Sequence, residues 1–141
     1  MPVTETRGVR NRNPGNIDYN PANDWQGQLK PDPAVETRFA RFDSPENGIR
    51  ALGKLLQTYQ RKYGLKTVKA IITRWAPAAE NDTAAYVRAV ELNTGTRPGA
   101  EVDLRAPGVL QGFVKAIIHH ENAGYAYPDT VLAEGVRRAL A

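Results

Sequence analysis

Two regimes of hydrophobic patterning divide the chain. Up to about position 43, apolar residues are sparse and turn formers are dense: Asn13-Pro14-Gly15-Asn16, Asn20-Pro21-Ala22-Asn23-Asp24 and Lys30-Pro31-Asp32-Pro33. Three short extended pieces, 17–19, 25–29 and 37–42, fit between them and predict loops with a small β-hairpin. From Ser44 the apolar spacing becomes three and four. Ser44-Pro45-Glu46 is a helix start: a capping hydroxyl, proline at the first helical position and an acid in the first turn. Ile49, Leu52, Leu55, Leu56 and Tyr59 follow on one face, and Gly64 is the stop. Thr67 caps a second helix with Val68, Ile71, Ile72 and Trp75, ended by Pro77. Asp82 or Thr83 opens a third, with Tyr86, Val87 and Val90, that stops at Gly95. Residues 94–108, with two prolines, read as a loop. A fourth helix covers about 109–120 with Phe113, Val114, Ile117 and Ile118, and the stretch from Gly124 to Pro128 breaks it. Asp129 is expected to cap a last helix carrying Val131, Leu132, Val136 and Leu140. The pattern shows no repeat. It predicts a mainly α (α+β) fold: one small helical domain over 1–141, with a short β-hairpin or loop lobe near the N-terminus.

Composition narrows the chemistry. The 141 residues suffice for a core without disulfides, and 41% apolar with 24% charged residues excludes a disordered tail or a rod. The lack of cysteine excludes a disulfide scaffold, a zinc knuckle and a thiol nucleophile. Nineteen Lys and Arg against fifteen Asp and Glu give a net charge of +4, which favours polyanionic partners: nucleic acid, anionic lipid or bacterial wall polymers. The bases cluster weakly at Arg7/Arg10/Arg12, Arg61/Lys62/Lys66/Lys69 and Arg137/Arg138. These read as solvated faces, and no nucleic acid is expected because acids are interleaved and no binding motif is present. No segment approaches ~20 apolar residues, so no transmembrane segment is expected. The opening residues lack the apolar core of a secretory signal. The expectation is a protein made in the bacterial cytoplasm that acts at the wall after release or from a particle.

His119 and His120 are adjacent and cannot both ligate from one helix face, so no metal is expected. Gly-x-Ser-x-Gly, Gly-x-Gly-x-x-Gly and Walker loops are absent, which leaves carboxylates. Glu121 ends a strongly apolar helix. An acid there faces the negative end of the helix dipole, which with partial burial favours its neutral form, the state that protonates a glycosidic oxygen. The alternative is a solvated helix-end residue paired with an arginine. Asn13-Pro14-Gly15-Asn16 concentrates amides suited to hydroxyl and acetamido groups, or is a surface turn whose asparagines cap their own backbone. Tyr19, Trp25, Tyr125 and Tyr127 lie in loops, where they stack on sugar rings or cover the core. Trp75 reads as core, and Tyr86 as either.

Together these pieces resemble the lysozyme-like peptidoglycan-cleaving superfamily, its phage members in particular. Arg7-Gly8-Val9-Arg10-Asn11-Arg12-Asn13-Pro14-Gly15-Asn16-Ile17 is similar to an opening common among phage and prophage virion or lysis proteins. Ser44-Pro45-Glu46, Tyr63-Gly64-Leu65-Lys66-Thr67, Trp75-Ala76-Pro77 and the 83–90 helix follow in the order of the bacterial glucosaminidase branch. The likeness covers about 7–93. One feature departs from it: in that superfamily the catalytic glutamate ends a helix that precedes the asparagine turn, whereas here only a dozen residues do. The helix ending His119-His120-Glu121-Asn122 resembles the missing one, which implies a circular permutation with Ala141 near the N-terminal segment and Glu121 facing the Asn13–Asn16 turn across a groove. Glu5 is the fallback acid.

The resemblance implies cleavage of peptidoglycan glycan strands by a monomer without cofactor. Glu121 is the general acid, and Asn13, Asn16, Trp25, Tyr86 and Tyr125 line the saccharide groove. A hydrolase needs a second carboxylate, for which Asp18, Asp24 and Glu36 stand nearby in sequence; a lytic transglycosylase needs none, and the lack of a clear second acid tilts the expectation there. The rival readings are a virion structural or wall-binding protein without catalysis, assembled with other virion proteins, and a nucleic-acid module.

Overall fold

The computed structural model describes residues 5–76 and 82–141. Six helices are present among them: α1 (Arg7–Arg10), α2 (Pro45–Tyr63), α3 (Val68–Trp75), α4 (Thr83–Thr94), α5 (Pro107–Glu121) and α6 (Asp129–Leu140). The fold is mainly α. The capping chemistry sets most boundaries. The Ser44 hydroxyl accepts from Asn47 N, Thr67 from Ala70 N and the Asp82 carboxylate from Ala85 N. Gly64 and Gly95 close α2 and α4 in the left-handed conformation that favours glycine. Two boundaries differ from expectation. α5 begins earlier than expected, because Pro107 takes a first-turn position where its missing N–H costs nothing. Asp129 is the first residue of α6 rather than its cap; Pro128 holds that position with no side-chain bond. Pro77, expected to end α3, lies outside the described residues.

The lobe departs further. Its expected β-hairpin is replaced by two isolated antiparallel bridges, Asp18 with Phe39 and Gln28 with Phe42. The pieces pair only briefly: Tyr19 N donates to Arg38 O at 2.9 Å, Ala40 N to Ile17 O at 3.0 Å and Leu29 N to Arg41 O at 2.8 Å. Asn13, fully buried, braces the first of these pairs from the side: its amide donates to Ile17 O at 3.0 Å and Ala40 O at 2.9 Å while its oxygen accepts from Ile17 N at 3.0 Å. The sequence pattern also missed α1. Its four residues are capped by Thr6 and closed by Asn13 N to Gly8 O and Arg12 N to Val9 O, with Arg12 left-handed at φ 52°.

The main core joins α2 to α6: Ile49, Leu52 and Leu56 of α2 meet Ile71, Tyr86, Phe113, Ile117 and Val136, all buried. Gly135 lies against Ile49 and Gly53 against Ala139, so α2 and α6 run in the same direction at close approach. A smaller cluster of Ile17, Ala40, Phe42 and Ala51, flanked by Trp25 and Leu55, seats the lobe on α2. Gln60 ties the 94–108 loop down by donating to Leu65 O and Val102 O and accepting from Leu104 N.

The closest backbone approach is between α2 and the first turn of the chain. A Cβ on Gly48 would overlap the Arg12 carbonyl oxygen, whereas one on Gly108 meets nothing within 4 Å. Gly48→Ala is therefore expected to lose about 2–4 kcal/mol in denaturant unfolding despite alanine's better helix propensity. Gly108→Ala should stay within about 1 kcal/mol of the parent; equal behaviour of the two would refute the packing.

Candidate active site

α5 is buried along Leu110, Phe113, Val114, Ile117 and Ile118, and it delivers its last residue, Glu121, half-buried, to the edge of the molecule. The N-terminal segment wraps this end. Thr6 Oγ1 donates to Asn122 Oδ1 at 2.8 Å, and Asn122 Nδ2 donates to Pro14 O at 2.8 Å and to Ile118 O at 3.0 Å. Gly8 is required by this packing, since a Cβ there would run into the amide oxygens of Asn122 and Asn16. Asn16, left-handed at φ 50°, directs its amide to the helix end: Nδ2 lies 3.5 Å from Glu121 Oε2. The other amide atom, Oδ1, is buried without a partner among the described residues.

Glu121 and Asn16 form one wall of an open groove of about 520 Å³. α2 contributes Leu55 and Tyr59, the end of α3 contributes Trp75, and the lobe contributes Asp18, Asn20, Asn23, Arg38 and Phe39. The Tyr59 and Trp75 rings are 6.1 Å apart and tilted by 54°. Asp18 pairs with Arg38 at 2.8 Å in an exposed position, a pair of small energetic weight. Behind the wall, Tyr86 is buried and stacks on His120 with 3.9 Å between centroids. Its hydroxyl has no partner among the described residues, and burial, reinforced by the charge of Glu121, holds its pKa well above the usual phenol value.

The structure therefore joins Glu121 and Asn16 and leaves the other four expected groove residues out of the lining. Asn13 is a buried staple. Trp25 packs on the lobe cluster, its indole N–H buried, and Tyr86 lies behind the groove wall. Tyr125 is exposed, stacked edge-on against Tyr127 at 4.8 Å, and is not part of the groove lining. Of the acids considered as a second carboxylate, Asp18 lines the groove, Asp24 is exposed outside it, and Glu36 is excluded by its bonding. Glu36 is buried and accepts from Arg7 Nε at 2.8 Å and from Arg7 Nη2, from Asn11 Nδ2 at 2.9 Å, and from the backbone N–H groups of Arg38 and Phe39. Glu5 is exposed. Sequence reasoning missed Tyr59 and read Trp75 as core. Tyr59 is the first ring after the aliphatic face of α2 and Trp75 the last residue of the apolar face of α3, positions where a polar-tipped ring marks the rim of a core.

Among the described residues no group of three or more His, Asp or Glu side chains is arranged to hold a metal, and no helix is long and apolar enough to cross a membrane. No protein-family model matches the chain. It is 36% identical over 132 residues to "Protein P5" of Pseudoalteromonas phage PM2, a match covering 92% of this chain and 79% of that protein. The chain belongs to the family of that phage protein.

The Arg7 ion pair leads the causes that hold the Glu36 carboxyl far below its ordinary value of 4.5, with Phe39 N–H, Asn11 and Arg38 N–H adding to it against the cost of burial. A depressed native pKa means stability that is fully present above that ordinary value and drains away as the pH falls below it. Glu36→Gln is expected to cost about 2 kcal/mol at neutral pH. The gap between parent and variant should narrow between about pH 5 and about pH 2 in urea melts. A gap independent of pH would refute the assignment.

Proposed function

We propose that this member of a phage protein family cleaves the glycan strands of peptidoglycan, with Glu121 as the acid, on a lysozyme-like and circularly permuted arrangement. The observation that carries this reading is the approach of Asn16 Nδ2 to Glu121 Oε2, 3.5 Å, at the wall of a groove that also holds Tyr59, Trp75 and Phe39. An acid late in the chain thereby faces the asparagine turn that opens it, the juxtaposition a permuted lysozyme-like protein requires. Aromatic faces and the amides of Asn16, Asn20 and Asn23 suit rings carrying hydroxyl and acetamido groups. Residues 7–17 resemble an opening common among phage and prophage virion or lysis proteins, and the relative is a phage protein; both are compatible with this reading.

In the reaction, the Glu121 carboxyl gives its proton to the glycosidic oxygen as the bond from that oxygen to the anomeric carbon breaks. The resulting carboxylate then takes a proton from the group that attacks the anomeric carbon. In a transglycosylase that group is a hydroxyl of the same sugar, and an anhydro end results. Asp18, the other carboxylate of the groove lining, is engaged by Arg38, and Glu36 by Arg7. The Asp18 pair is exposed and weak, so the products decide between the single-acid and two-acid routes.

Glu121→Gln should lower muropeptide release from purified sacculi by at least about a hundredfold, with the melting temperature almost unmoved. Mass spectrometry of the parent's products should find anhydro ends; hydrated ends would make the protein a hydrolase. A variant that still cleaves overturns the role of Glu121. A parent that pellets with sacculi and releases nothing is a wall-binding virion protein instead.

A further inference from the structure

Tyr59 is the last residue of α2 in the groove lining, and the aromatic surface continues past it. Tyr63, one turn further along α2, is partly exposed, and its ring meets that of Tyr59 edge-on at 6.1 Å. Tyr63, Tyr59 and Trp75 thus form a continuous run of rings from the surface into the groove that Glu121 lines. Two cations sit at its outer end. The Arg74 guanidinium carbon is 3.6 Å from the Tyr63 ring centroid and Lys62 Nζ is 5.4 Å from it. Stacking on the ring orients both charges at one place, which a flexible surface lysine or arginine alone does not achieve. Burial works the other way, but the charges of Arg74 and Lys62 lower the Tyr63 hydroxyl from its usual value. The positive potential that favours a phenolate there favours any carboxylate brought to the same spot.

We infer that Tyr63, Lys62 and Arg74 form an outer subsite that takes the carboxylate-bearing peptide stem of a strand whose sugars lie in the groove; this rests on the reading of the groove as a glycan site. The charge arrangement selects this occupant. In the inner groove the one cation among the described lining residues, Arg38, is paired with Asp18 at 2.8 Å, which leaves no run of free positive charge for a polyanion and suits neutral sugars. A nucleic-acid strand presents a phosphate at every step and needs cations along the whole path. A neutral glycan with acidic substituents needs them only where a substituent falls.

The test uses the Glu121→Gln chain as a binder that does not consume its ligand, with and without Lys62→Gln and Arg74→Gln. Pelleting with intact sacculi and with sacculi whose stem carboxylates have been capped as neutral amides gives the affinities. Charge removal is expected to weaken binding to intact sacculi about five- to tenfold. The loss should shrink in high salt and vanish on the capped sacculi. Equal losses on both materials, or none on intact sacculi, would overturn the subsite, as would a single-stranded oligonucleotide that displaces the protein through the same two residues. Binding through these residues by a parent chain that cleaves nothing would leave the subsite standing and overturn the catalytic reading alone.

Discussion

The seating of residues 6–16 between α2 and the end of α5 is the constraint on which the rest of the structure depends. It is a backbone-to-backbone fit. Gly48 admits the Arg12 carbonyl on one side, and Gly8 admits the Asn122 and Asn16 amides on the other. Asn122 then satisfies Thr6 and Pro14 together. Such contacts have little slack, because a buried amide or carbonyl displaced from its partner costs about 1–3 kcal/mol. The same fit sets the distance between Asn16 and Glu121. The groove wall is therefore a by-product of how the chain begins and how α5 ends.

Carboxylates in the same small region have opposite assignments, and their hydrogen bonds decide which. Glu36 has both oxygens committed to a guanidinium, an amide and two backbone donors, so it is a fixed charge that folds the lobe. Glu121 meets one amide at the long edge of hydrogen-bonding distance and opens onto the groove. A residue with unspent bonding capacity beside a groove can act on a ligand, whereas one with none holds structure. The aromatic run from Trp75 to Tyr63 adds direction to the groove, from an inner part whose cation, Arg38, is paired with Asp18 to an outer end where Arg74 and Lys62 lie over the Tyr63 ring.

Local signals in the chain were read correctly where the physics is local. Ser44, Thr67, Gly64 and Gly95 cap their helices because a hydroxyl or a left-handed glycine acts within one turn. The asparagine turn and Glu121 were recognisable as concentrated polar groups beside apolar helices. The failures share a cause. Asn13 was assigned to a ligand because an amide looks the same in sequence whether it meets a sugar or the Ile17 and Ala40 carbonyls. The β-hairpin was expected because period-two pieces normally pair with each other; here they pair only over isolated bridges, with Asn13 bracing Ile17 and Ala40 from the side.

The amino-acid order by itself determined the helices and their caps, the division into a polar lobe and an apolar body, and the presence of an acid at the end of a greasy helix. Periodicity, capping and composition act over a few residues, and a sequence records them directly. Tertiary structure alone decided that Glu121 meets Asn16 across 105 positions of chain, that Glu36 is consumed by Arg7, and that Tyr59 and Trp75 face a groove. Those outcomes depend on which backbones can approach closely. That is settled by the missing side chains of Gly8 and Gly48 acting on distant segments.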